Sequence, residues 1–151
     1  MTHHTPKNKA VAPTAVVAMG GHAVMQAGQK GTHQEHLDNA RIICKQLMTL
    51  VERGYNLVIT HGNGPQVGDL LLRNEATKGT RPTVPMDVLV AQTEGSLGYY
   101  LQQGLLNELR ARDIRRYVVT VVTQVVVSAD DPAFTNYTKP VGPFFSKEEA
   151  D

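Results

Sequence analysis

The sequence holds a single cysteine, Cys44, which excludes an intramolecular disulfide and makes a cysteine-based metal cluster implausible. An excess of charge of one sign is also missing. With 15 basic and 14 acidic residues, nothing marks a footprint for nucleic acid or an anionic membrane. No apolar run approaches the ~20 residues of a membrane span. The polar stretch 1–14 lacks a hydrophobic signal core and reads as a loose N-terminal tail. Neither the GxxxxGKS/GxxxxGKT phosphate loop nor the GxGxxG fingerprint occurs, so those nucleotide-binding motifs drop out. These absences suit a cytoplasmic protein whose partner is a small molecule or another protein.

What is present is a chain of 151 residues, 41% of them hydrophobic, which suffices for one α/β unit with a real core. Ala15 to Met19 is a short continuous apolar run closed by Gly20-Gly21, the pattern of a strand buried on both faces. From Glu35 to Arg53 apolar residues recur at Leu37, Ala40, Cys44, Leu47 and Val51, a helical stripe stopped by Gly54. Asn56 to Thr60 reads as a second buried strand, and Pro65 opens a helix with Val67, Leu70 and Leu71 on its apolar side.

A loop over Lys78 to Pro85 leads to a long helix from Asp87 to Arg112, interrupted by Gly95, Gly98 and Gly104. Glycines weaken a helix by ~1 kcal/mol each, so close packing against another backbone, or a break near Gly95, is expected. Tyr117 to Val127 is dense in β-branched residues and predicts an interior strand. The order β, α, β, α, α, β argues for a parallel sheet with helices on both faces and ligands beyond the strands' carboxyl ends. Ser128 to Asp151, with Asp130-Asp131-Pro132, Lys139-Pro140 and Gly142-Pro143, reads as an irregular excursion ending at the start of a helix. With so little chain after its most apolar strand, the sequence reads as unfinished.

The chemistry concentrates in Thr60-His61-Gly62-Asn63-Gly64-Pro65-Gln66-Val67-Gly68. Two glycines, a helix-starting proline and side-chain hydrogen-bonders at a strand-to-helix junction let backbone N–H groups converge on an anion. Gly20-Gly21 would lie at the same sheet edge. Either glycine pair alone is more often a plain turn; two at one edge favour an anion cradle. His61 can act as base or anion donor, or hold the loop's shape, the role favoured here. His33 and His36 have metal-pair spacing without an evident third ligand, and solvated helix-start positions are the commoner explanation. Asp130 and Asp131 read more simply as turn and capping residues than as metal ligands.

Several blocks carry a family resemblance covering Val16 to Ala150: VAMGG (17–21), THGNGPQVG (60–68), LLRNEA (71–76), PMDVLVAQTEGSLGY (85–99), VTQVVV (122–127) and DDPAFTNYTKPVGP (130–143). Together they resemble carbamate kinase, of the amino-acid kinase family. The resemblance implies a three-layer α/β/α sandwich with a mainly parallel sheet. It also implies reversible phosphoryl transfer, in which carbamoyl phosphate and Mg-ADP give ATP and carbamate, within arginine metabolism. Residues 15–127 would form the phosphoryl-acceptor lobe, and 128–151 the start of a protruding subdomain. By position Gly20, Gly21 and His22, with Gly62, Asn63 and Gly64, would hold the phosphoryl and carbamate oxygens, and Lys139 would be the catalytic cation above them.

In place of the family's usual Gly-Gly-Asn-Ala this chain has Gly20-Gly21-His22-Ala23, an imidazole where an amide donor is usual. Members of the family run to about twice this length, so the nucleotide lobe is expected to be absent, with no nucleotide site and no protein-bound metal encoded here. Homodimerisation through this half, or a complementing C-terminal lobe, is the implied partnership. A truncated or split kinase then competes with a non-catalytic anion-binding or interaction module, with a fragment lacking an independent role and, more weakly, with another amino-acid kinase.

Overall fold

Side-chain alternation decides which side of each strand is covered. In the computed structural model, which describes residues 11–139, 141 and 147–150, β1 (Thr14–Met19) and β2 (Asn56–His61) pair in parallel. Val17, Met19, Leu57 and Ile59 pack inward, while Val16 and Val58 stay exposed. The apolar runs suggest strands buried on both faces; instead the described residues cover only one face. Among the described residues, the helices packed on the sheet all lie on that side.

Those helices are α2 (His33–Glu52) and α4 (Met86–Ala111), whose apolar stripes meet over the sheet. Ala40, Cys44 and Leu47 interlock with Leu97, Leu101 and Leu105, and Met48 and Val51 close with Leu109. A capping box starts α2: Glu35 N–H donates to Thr32 Oγ1 at 3.3 Å, and Thr32 N–H donates to Glu35 Oε2 at 2.7 Å. The Thr32 amide, above all, holds the Glu35 carboxyl below its ordinary pKa. Gly54, at φ +90°, ends the helix as its position after the last apolar residue predicts.

Helix α4 runs unbroken through its glycines, so the expected break at Gly95 does not occur. Close packing does occur at two of the three. A Cβ on Gly104 would sit 2.8 Å from Cys44 Sγ, and one on Gly98 would collide with Thr120, whereas Gly95 has open space around it. Burial, reinforced by Glu108, pushes the Cys44 thiol up to about 12.

The run Tyr117–Val127 departs from its expected role as an interior strand. Val118 packs into the core, but Tyr117, Val119, Val125 and Val126 are exposed and the run forms no ladder with β1 or β2. A cavity of ≈ 580 Å³ separates it from β2, lined on one side by Asn56 to His61 and on the other by Arg116 to Val121. β propensity needs a neighbour to bond to, and the described residues place none there.

Four shorter elements complete the described chain. α1 (Gly21–Val24) follows β1, and α3 (Gly64–Ala76) follows β2 and packs on α4. A 3-10 turn spans Pro132–Phe134, and α5 covers Lys147–Ala150. The readings made for residues 1–10, 140, 142–146 and 151 lie outside the described residues.

Candidate functional site

The parallel pairing places the two glycine loops side by side. Met19 is the register partner of His61, so Gly20 and Gly62 leave the sheet from adjacent positions on one edge. Gly62 N–H donates to the Met19 carbonyl at 2.9 Å, extending the pairing by one bond into the loops. Gly20 then caps α1, and Asn63 and Gly64 open α3. A Cβ on Gly20 or Gly64 would meet nothing within 4 Å, so open space adjoins both loops.

Each side chain around this edge has a definite place. His22 is exposed on α1. His61 Nδ1 donates to the Gly62 carbonyl at 3.2 Å, the loop-holding role favoured from its strand-end position. Asn63 Nδ2 donates to Thr93 Oγ1 on α4 at 2.8 Å. The side-chain amide of Gln66 is buried without a hydrogen-bond partner among the described residues.

Behind the first loop, α2 grips the end of α1. His36 Nδ1 donates to the Val24 carbonyl at 2.9 Å, and Asn39 Nδ2 donates to the same oxygen at 3.2 Å. His36 also stacks on Tyr100, whose hydroxyl is hydrogen-bonded to His33 Nδ1 at 3.0 Å. The two histidines thus serve packing and hydrogen bonding. Among the described residues no group of three His, Cys, Asp or Glu side chains could hold a metal ion.

Lys139 is not brought to the loops by any hydrogen bond or ion pair among the described residues; it lies exposed in the excursion beyond the 3-10 turn. The neighbouring aspartates do turn chemistry there. Asp131 caps the turn by accepting from Ala133 N–H at 2.8 Å. Asp130 accepts from Ser128 Oγ at 2.7 Å, and that bond holds its carboxyl below the usual range.

Sequence alone gives Thr93 and Gln66 no individual role. Thr93 sits on an apolar-looking helix with nothing local to link it to a loop thirty residues earlier. Gln66 lay within the glycine-loop motif, but its lack of partners shows only in three dimensions.

No family model matches the chain. Individual relatives do. Carbamate kinase of Pyrococcus furiosus is 52% identical over 137 residues, covering 89% of this chain and 44% of that protein. The Trichomonas vaginalis carbamate kinase is 49% identical over 137 residues, covering 90% of this chain and 44% of that protein. Among solved structures, carbamate kinase from Giardia lamblia bound to citric acid superposes with a TM-score of 0.85 at 40% identity, covering 92% of this chain and 45% of that one. The same enzyme bound to AMP-PNP gives a TM-score of 0.82 at 40% identity, over 92% of this chain and 44% of that one. This chain thus spans less than half the length of the relatives it matches. On that shared sequence and α/β fold with a parallel sheet, it belongs to the carbamate kinase family and fits the N-terminal half of its members.

Proposed function

We propose that this chain is the phosphoryl-acceptor lobe, residues 15–127, of a carbamate kinase-like phosphotransferase, with 128–151 beginning a protruding subdomain. The reaction is the reversible transfer between carbamoyl phosphate with Mg-ADP and carbamate with ATP. The observation that carries this reading is the Met19–His61 register, which sets Gly20-Gly21 beside Gly62-Asn63-Gly64.

In this reading the backbone amides around those glycines, that of Asn63 included, hold the phosphoryl and carbamate oxygens together with His22. Fixed N–H dipoles in a loop favour negative charge without reorganising during transfer. Lys139 supplies the mobile positive charge that neutralises the transferring group. Mg-ADP or ATP is the cosubstrate, held by residues beyond those of this chain. The nucleotide lobe is supplied either by the same polypeptide or by a second one, and the chain pairs with a second copy of itself in the cytoplasm.

The test mixes this chain with the uncovered C-terminal portion of the Pyrococcus furiosus relative and measures ATP formed from carbamoyl phosphate and ADP. ATP formation that requires both pieces is expected. An inactive mixture in which both pieces are folded overturns the catalytic reading; calorimetric binding of carbamoyl phosphate without turnover would leave a non-catalytic anion-binding module.

A further inference from the structure

Asn63 stands at the N-cap of α3, where an asparagine ordinarily turns its side-chain oxygen onto the second or third amide of the helix. Here no side-chain cap bond forms, and the second helical position is Pro65, which has no N–H to offer. The side chain reaches across to α4 instead, with Nδ2 donating to Thr93 Oγ1 at 2.8 Å.

One proton fixes the polarity of that contact. Thr93 has a single hydroxyl hydrogen, and it is directed at the Val90 carbonyl, 2.7 Å away. A carbonyl only accepts, so the Thr93 oxygen is left as an acceptor and the Asn63 atom facing it must be the amide nitrogen. Thr93 is 1% exposed, so water does not compete for the contact. Asn63 Oδ1 is therefore left over: it takes no hydrogen bond from the described residues and is not sealed from solvent.

We propose that Thr93 is a positioning residue that makes Asn63 present an acceptor oxygen in the second glycine loop, so that the site selects acyl phosphates carrying an N–H donor beside the carbonyl. The inference rests on the acceptor-site reading above. Backbone amides in glycine loops are donors, and they recognise the anionic oxygens that every acyl phosphate shares. They do not distinguish an amino group from a methyl group. An acceptor left without a donor does, because a desolvated polar atom facing a methyl group loses its partner.

Carbamoyl phosphate and acetyl phosphate differ by that exchange of NH2 for CH3, with similar size and charge. Calorimetric titration of this chain with freshly dissolved samples of each should show carbamoyl phosphate binding about fivefold to tenfold tighter, the range expected of one hydrogen bond. In Thr93→Val the amide is free to turn over, and the ratio should fall to about one; in Thr93→Ser it should be retained. Should Thr93→Val not fold, Asn63→Ala carries the same expectation of lost discrimination. A wild-type ratio of one, or a ratio that survives both Thr93→Val and Asn63→Ala, overturns the inference while leaving the acceptor site standing. Binding of neither ligand overturns the site itself, and the inference with it.

Discussion

Met19 and His61 are register partners in the parallel pair, and the Gly62 amide hydrogen-bonds the Met19 carbonyl just beyond them. Neither glycine loop can shift without pulling on the other. Two glycine loops far apart in the sequence therefore lie at one edge of one sheet.

A ligand held by that edge should report from both loops. Titrating inorganic phosphate or carbamoyl phosphate into the labelled protein is expected to move the amide resonances of Gly20, Gly21, Gly62, Asn63 and Gly64 along one binding curve. Movement in one loop alone, or two distinct curves, would contradict a shared site.

Lys139 is exposed, so its replacement should leave the fold intact. In the complemented enzyme Lys139→Ala should lower kcat by about 10²–10³-fold, the scale seen when one stabilising charge or donor is lost from a transition state. Unchanged turnover would remove it from the catalytic role.

The α4 glycines separate packing from propensity. Gly104→Ala would press a methyl against Cys44 Sγ, 2.8 Å away, and the backbone of Ala40, and should destabilise by about 1–3 kcal/mol in urea unfolding. Gly95→Ala meets open space and should instead stabilise by roughly 0.5–1 kcal/mol through helix propensity. Equal effects at the two positions would refute the packing argument.

Removing one of the two donors to the Val24 carbonyl tests what holds the first loop. Asn39→Ala should cost about 1–3 kcal/mol for a lost buried hydrogen bond, and it should accelerate amide exchange over Gly20 to Val24 while sparing β2. Unaltered exchange there would mean that His36 alone suffices.

The Cys44 thiol, raised to about 12 by burial, makes stability depend on alkaline pH. Above its unfolded pKa the unfolded chain has lost a proton that the folded chain keeps, so stability falls as pH rises, with a limiting slope of about 1.4 kcal/mol per pH unit. Below the unfolded pKa the contribution is fully present. Cys44→Ala should remove this increment between the unfolded value near 9.0 and about 12, read as the difference between the two unfolding curves.

Local sequence signals are most informative where the physics is local. The Gly54 stop, the α2 stripe through Cys44 and the strand-plus-glycine junctions depend on residues a few positions apart, and each is found in place. Tyr117–Val127 shows the limit: its composition announces a strand, but a ladder needs a partner, and that is not a property of the run itself. The Asn63–Thr93 bond was hidden for another reason. Asn before Gly-Pro looks like an ordinary helix cap, and only α4 folding across the loop redirects its amide. Lys139 enters through the family resemblance alone, and its role stays a proposal, since one exposed lysine carries no pattern.

Gly98 leaves a notch on α4 that Thr120 fills; a Cβ there would collide with the threonine's methyl group. On either side, Gln102 Nε2 donates to the Val118 carbonyl at 2.9 Å, and Glu94 Oε2 accepts from Thr123 N–H at 2.7 Å. Sliding the run by two residues would drive the bulkier Val118 or Val122 into the notch and break both bonds. The alignment of this extended segment is therefore written on a helix, like teeth meeting a keyed slot, before any strand lies beside it.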